Sequence, residues 1–289
     1  MSSGHSQFID VNGTTLHYLE WGEKTNPPLI LLHGGSAHAH WWDHIAPALA
    51  QSYRVLAFDL RGHGDSAWLK PHAYEIQDYV ADLEAVITTL QLNSPILLGH
   101  SLGGFIALSD ATAHESILRA LIVVDIGPQL PKSRYMRLLR ALPPPIYQDQ
   151  ADLSDRFRLL PADTQAPPDL LRHIARHSVQ CGKDGNLHLK GDRAAMIRQP
   201  CDLRPLLPTI VCPTLLLRGQ NSKNLSTEKL IQMVYACPQA QGREIPAAGH
   251  HVFLDQPSLF LDIVTNFLHE KEIGPTAEAG RGQEERCKN

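Results

Sequence analysis

Four stretches of the chain are apolar almost without interruption: Leu29-Ile30-Leu31-Leu32, Val55-Leu56-Ala57 after Arg54, Ile96-Leu97-Leu98 and Leu121-Ile122-Val123-Val124. A strand with one wet face alternates apolar and polar residues. A strand apolar at every position must be covered on both faces, which is the situation of a parallel sheet with helices packed above and below it. Helical patterns lie between these runs, near Trp41 to Gln51, Tyr74 to Leu90 and Leu102 to Ala113. This alternation predicts an α/β fold with one mostly parallel sheet flanked by helices. Phe8 to Val11 and Thr15 to Trp21 flank Asn12-Gly13, whose tolerance of positive φ suits a tight hairpin turn. A further strand over Thr214 to Leu217, a short one at Arg243 to Ile245, and helices over Thr227 to Tyr235 and Leu259 to His269 complete the unit.

Between about Gly127 and Pro208 the rhythm breaks. The segment is rich in proline and carries short helical patterns (Arg134 to Ala141, Asp152 to Leu160, Asp169 to His177) and one extended piece, Gly185 to Lys190. A structureless loop of that length is improbable inside a compact domain, so the segment reads as a mostly helical cap inserted between two strands. The division expected is a core made of 1–127 and 209–270, a cap at 128–208, and a disordered polar tail at 271–289.

With 43% hydrophobic and 19% charged residues, the 289-residue chain has the material for a sizeable core. Twenty-six Lys and Arg against 30 Asp and Glu leave a net charge of −4, too little positive field to hold nucleic acid or an anionic membrane. Five cysteines with no CxxC pair fit neither a disulfide framework nor a zinc knuckle. The first 20 residues lack the basic start and apolar run of a signal peptide, and no apolar run is long enough to span a membrane. A cytoplasmic protein, monomer or homodimer, acting on a small molecule without a cofactor is the expectation.

The sharpest chemical signal is Gly99-His100-Ser101-Leu102-Gly103, directly after the strand Ile96 to Leu98 and directly before a helix. A serine on such a turn is lifted clear of the sheet, and the flanking glycines leave room for the tightly folded backbone. The Leu102 amide at the helix start then points to where an oxyanion would form. His33-Gly34-Gly35-Ser36, at the end of another strand, offers the second oxyanion amide from Gly35 or from its neighbour Ser36, with His33 bracing the loop. A base must reach the serine from a loop. Gly249-His250, with the spacing to Asp255-Gln256-Pro257, favours His250 over the adjacent His251.

Through these motifs, with Asp59-Leu60-Arg61-Gly62-His63-Gly64-Asp65-Ser66 and Asp125-Ile126-Gly127-Pro128, the chain resembles the α/β-hydrolase superfamily over about residues 8–270, in its cap-bearing esterase and carbon–carbon hydrolase branch. The resemblance implies an eight-stranded-type sheet. It also implies Ser101 as nucleophile, His250 as base, and an oxyanion hole from the amides of Gly35 and Leu102. Relatives with an aspartate or cysteine nucleophile catalyse dehalogenation, epoxide opening or dienelactone hydrolysis. A serine at that position implies hydrolysis of an ester, lactone, thioester or vinylogous C–C bond. Ser36, His100 and Trp41 are the candidate substrate contacts.

One position departs from the family. Where its triad acid usually stands, after the strand Thr214 to Leu217, this chain reads Arg218-Gly219-Gln220-Asn221-Ser222-Lys223. A lysine cannot accept the imidazole N–H. Asp125, at the end of the strand Leu121 to Val124, matches the register at which haloalkane dehalogenases carry their acid. Glu228 is the weaker candidate, and relatives that keep the usual acid also carry an aspartate at the position of Asp125.

Two other readings compete. His38-Ala39-His40-Trp41-Trp42-Asp43-His44 superficially resembles a zinc motif, with His40 and His44 sharing a helix face, but it has one residue too many between His40 and Asp43, and no metal is expected. The lysine at 223 also suits a ligand-binding or catalytically weak protein on the same scaffold. Arg134, Arg137 and Arg140 recur at three-residue spacing and read as a solvated helix face. Of the 16 histidines, only His250 has an argued acid–base role.

Overall fold

The computed structural model describes residues 4–113, 118–131, 141–196 and 198–271. Its main sheet has eight strands: β1 His5–Val11, β2 Thr14–Trp21, β3 Pro28–Leu32, β4 Arg54–Phe58, β5 Ile96–His100, β6 Ala120–Val124, β7 Thr214–Gly219 and β8 Ala240–Ile245. Their spatial order is β1-β2-β4-β3-β5-β6-β7-β8. The β1–β2 and β2–β4 pairs are antiparallel and every other pair is parallel. Asn12 and Gly13 take φ of 51° and 70° in the β1–β2 hairpin, the positive values that a twisted two-residue turn demands.

Covering on both faces is visible residue by residue. Leu29, Leu31, Val55, Ala57, Leu98, Val124 and Leu217 pack with Trp42, Phe253 and Phe260 on one side. Ile30, Leu32, Leu56, Phe58, Leu97, Val123 and Leu216 pack with Tyr79, Leu83, Phe105 and Met233 on the other. Successive side chains of a strand point to opposite faces, so a run apolar at every position feeds two cores at once.

Helix α1 (Ile76–Thr89) opens on a capping box between Glu75 and Asp78 and buries Ile76, Tyr79, Val80, Leu83 and Val86 at helical spacing. Helix α2 (Leu102–Ala113) is buried nearly all round, because it lies between the sheet and α1. The helix expected over Trp41 to Gln51 is instead a 3-10 turn, Ala39–Trp42, followed by a one-turn helix, Ala46–Leu49, with proline in its first turn.

Between β6 and β7 the described residues hold helices α3 (Gln150–Arg156) and α4 (Pro168–His177). They also hold a small antiparallel sheet of Ile146–Tyr147, Leu187–Leu189 and Val179–Cys181, and the pair Gln129–Leu130 with Cys201–Asp202. The described part of the insertion is therefore mixed rather than mostly helical. The strands are only two or three residues long, too short to show an alternating pattern. Lys190 pairs with Asp65 at 2.7 Å, and His63 bridges to Gly191, so the insertion is tied to the loop after β4. The arginines 134, 137 and 140 and nearly all of the polar tail, 272–289, lie outside the described residues. After β7 come helices α5 (Thr227–Ala236), α6 (Val252–Asp255) and α7 (Pro257–Glu270). Among the described residues no helix is long and apolar enough to cross a membrane.

Candidate active site

Strand β5 runs into α2 through Ser101, whose φ is 51°. A non-glycine residue in that region carries about 1–3 kcal/mol of strain, so the surroundings must hold it there. They do so through the backbone. Ser101 N–H donates to Val124 O at 2.9 Å, Gly103 N–H donates to His33 O at 3.0 Å, and Phe105 N–H closes the first helical turn on Ser101 O. The two motif glycines are steric requirements: a Cβ on Gly99 would overlap the Gly103 carbonyl, and one on Gly103 would overlap the Leu32 carbonyl. Ser101 itself is half-buried, and Leu102 opens α2 behind it.

The β3 loop comes alongside. A Cβ on Gly34 would stand 3.3 Å from the Ser101 Cβ, whereas one on Gly35 would meet nothing within 4 Å. Gly35 and Ser36 are exposed, and Ser36 has a φ of 62°. His33 holds this loop from beneath: its Nδ1–H donates to Gly34 O at 2.7 Å and its Nε2 accepts the Leu60 amide at 3.0 Å. Burial pushes the His33 imidazole below its ordinary value, which suits that neutral two-sided role.

His250 arrives on the loop between β8 and α6. Its Nδ1 lies 2.7 Å from Asp125 Oδ2, and both side chains are buried. Asp125 has a φ of 53° and an amide that donates to Leu217 O at 2.8 Å, so the carboxyl is fixed to the ends of β6 and β7. Two more donors converge on it: Gly219 N–H on Oδ1 at 3.1 Å, and the Ser222 hydroxyl on Oδ2 at 2.5 Å. With three donors satisfying a completely buried carboxylate, its charge is compensated where it sits. The histidine loop can cross this point only because residue 219 is glycine, since a Cβ there would overlap the Gly249 carbonyl. Lys223 is exposed, and Glu228 is exposed in the first turn of α5.

Each neighbouring histidine anchors a backbone carbonyl through one ring nitrogen. His100 Nε2–H donates to His250 O at 2.9 Å, and the two rings lie 4.6 Å apart. At 1% exposure His100 braces the histidine loop, rather than facing the open side of Ser101 as a substrate contact would. His251 Nε2–H donates to Pro161 O at 3.1 Å, and Trp41 stands edge-on to its ring at 5.2 Å. Burial, then repulsion from His250, pushes His251 down to about 3 and His100 well below the ordinary histidine value. Trp41 is itself buried.

Sequence reasoning missed Ser222 and the Gly219 amide as supports of Asp125, because a lone serine beside a lysine carries no motif. It also gave Asp255 no role beyond spacing. Asp255 Oδ2 accepts the Gly249 amide at 2.8 Å, while Oδ1 accepts Thr164 Oγ1 at 2.5 Å and Gln165 N at 2.7 Å. One carboxylate thus joins the histidine loop to the insertion.

Among the described residues, three groups of side chains bring potential metal-ligating atoms together: His40, Asp43, His173 and His177; His100, His250 and His251; and His17, Asp59 and Asp65. The second contains the candidate base, so a metal there would block it. In the third, Asp59 is already saturated by His17 and by the amides of Ala39 and Asp65. His40 and His44 do not share a helix face, since the stretch is a 3-10 turn. His44 Nε2 donates to Phe253 O and His38 Nε2 is engaged by Ile174 O and Ser178 Oγ.

Comparison with known proteins bears on the family and the fold. The model of the alpha/beta hydrolase family matches residues 29–263. The 2-(acetamidomethylene)succinate hydrolase of Mesorhizobium japonicum is 28% identical over 275 residues, covering 91% of this chain and 95% of that one. The sn-1-specific diacylglycerol lipase ABHD11 of Mus musculus is 30% identical, covering 86% of this chain and 82% of that protein. The crystal structure of E-2-(acetamidomethylene)succinate hydrolase superimposes with a TM-score of 0.81 at 26% identity, over 92% of this chain and 99% of that one.

Proposed function

Since the chain belongs to the alpha/beta hydrolase family, we propose that it is a serine hydrolase that cleaves a carboxylic ester, lactone or related acyl bond through an acyl-enzyme on Ser101. The observation that carries this reading is the 2.7 Å contact between His250 Nδ1 and Asp125 Oδ2, beside a serine held at a φ of 51° on the strand-to-helix turn. That contact supports the reading despite Lys223, because the histidine has a buried carboxylate partner from another strand.

In the proposed reaction Ser101 Oγ attacks the substrate carbonyl carbon while His250 Nε2 takes the hydroxyl proton. The imidazolium that forms keeps its Nδ1–H on Asp125, which stabilises it and fixes the ring tautomer. The carbonyl oxygen becomes an oxyanion, for which the backbone amides of Leu102 and Gly35 are the proposed donors. Collapse breaks the acyl bond, and the leaving alcohol takes the proton from His250. Water, activated by the same base, then attacks the acyl-enzyme and frees the acid and the serine. Ser36 and Trp41 are the proposed substrate contacts.

The test is an active-site fluorophosphonate probe together with a short-chain p-nitrophenyl ester. Wild-type protein is expected to be labelled on Ser101 and to hydrolyse the ester, and Ser101→Ala to do neither. Equal slow hydrolysis by both proteins, with no label on Ser101, would refute the proposal.

A further inference from the structure

Away from Ser101, the loop after β3 and helix α4 place three imidazoles around one carboxylate. His40 Nδ1 and His173 Nε2 each lie 2.8 Å from the same oxygen, Asp43 Oδ2. The His177 ring lies face to face with His40 at 3.6 Å between centroids and 4.7 Å from His173. One potential ligand atom from each of the four residues falls within 4.8 Å of all the others. Asp43 is 2% exposed, and its second oxygen, Oδ1, is buried with no hydrogen-bond partner.

A buried carboxylate oxygen without a donor costs free energy. That cost vanishes if a cation sits among the four groups. We propose that His40, Asp43, His173 and His177 form a binding site for a divalent transition metal of the zinc type, in which the metal clamps helix α4 of the insertion to the core loop.

The donor set argues for that class of metal. Three nitrogens and one carboxylate suit zinc, cobalt or nickel, whereas calcium and magnesium require shells made mostly of oxygen. The placement of the ligands is that of a built site. His173 and His177 are four residues apart on one face of α4, and His40 and Asp43 are three apart on the turn Ala39–Trp42 and its end. Tetrahedral ligands at about 2.0–2.1 Å from zinc stand roughly 3.4 Å apart, so small side-chain rotations close the site. The metal replaces the protons that His40 and His173 now share with Asp43, and leaves Oδ1 free to ligate or to accept from a bound water.

The site joins helix α4 of the insertion to the loop after β3 of the core. Trp41 lies between its ligands His40 and Asp43 in sequence and stands edge-on to His251, the neighbour of the proposed base. The proposal does not depend on the serine hydrolase reading, and its test reads metal rather than turnover.

Metal-stripped full-length protein is titrated with Zn²⁺ by calorimetry, and with Co²⁺ followed by visible absorption. Wild type is expected to bind one equivalent, to give the intense visible bands of tetrahedral Co²⁺, and to melt at a higher temperature with Zn²⁺. His173→Gln and His177→Gln, each exposed enough to be replaced without a cavity, are expected to weaken binding by at least about 100-fold with unchanged circular dichroism. Asp43→Asn serves as the third variant should either of these disturb α4. Unaltered affinity in these variants, only weak octahedral Co²⁺ spectra, or metal binding abolished by His251→Gln but not by His173→Gln would each overturn the assignment.

Discussion

Asp125 and Ser222 meet through Oδ2 and Oγ at 2.5 Å, so the residue immediately before Lys223 supports the carboxylate that Lys223 cannot supply. The β7 loop therefore contributes a hydroxyl donor to the proposed acid, which stands at the end of β6.

Replacing Asp125 by Asn keeps the shape of the site but presents a group that can hold the wrong imidazole tautomer. The kcat of Asp125→Asn is expected to fall by about 10⁴, equivalent to roughly 5 kcal/mol of transition-state stabilisation. Lys223→Ala and Lys223→Asp, at an exposed position, are expected to stay within about twofold of wild type, a difference near the 0.5 kcal/mol scatter of surface substitutions. Steady-state kinetics on folded variants decides this, and a fully active Asp125→Asn protein rules Asp125 out as the acid.

Ser222→Ala removes one hydrogen bond to a buried charge. Such bonds contribute about 1.5–3 kcal/mol, so kcat/KM is expected to drop by roughly 10- to 100-fold. Ser222→Thr, which retains the hydroxyl, should recover most of the loss. If both variants behave alike, the hydroxyl has no part in holding Asp125.

Gly103→Ala forces a methyl group into the Leu32 carbonyl, and backbone cannot rotate out of the way as a side chain can. A loss of about 3 kcal/mol or failure to fold is expected. Gly35→Ala, which meets open space, should leave the melting temperature unchanged. Thermal unfolding of the two variants side by side provides the contrast.

Several buried histidines set a pH limit. Burial holds His63 and His251 down to about 3, and lowers His33, His38, His44 and His100. Above about pH 6.5 these imidazoles are neutral in both folded and unfolded chains. As pH falls below that value the unfolded chain takes up protons that the folded one refuses, so stability is lost progressively on acidification. His63 and His251 alone amount to about 3 kcal/mol per pH unit below pH 6. The urea midpoint is expected to stay nearly level from pH 7.5 to about 6.5 and to drop steeply from there to pH 5, and a flat profile over the whole range would contradict this account of the buried imidazoles.

Much of the sheet was readable because β3, β4, β5 and β6 each carry an unbroken run of three or four apolar residues, and those residues do divide between two cores. The helix start at Leu102 was equally plain. The stretch from Trp41 was less so, since its apolar content suggested one helix while Pro47 and the packing of Trp41 and Trp42 divide it into two short turns. Pairings inside the insertion depend on contacts distant in sequence, such as Leu187 with Tyr147, and leave no local pattern. At the site, Ser101 and His250 stood out through their glycine neighbours. Asp125 required comparing two strand ends. Ser222 was invisible because its importance comes only from the arrival of Asp125 across 97 positions of chain.

The backbone bond from Asp125 to Leu217 has a practical consequence for protein engineering. The strand that leads into the insertion also delivers the proposed acid, so a chimera built by exchanging insertions among relatives would have to be spliced beyond Gly127. A junction at Val124 would carry the acid away with the transplanted segment, whereas the exposed loop at Lys223 is free to accept a label or tether.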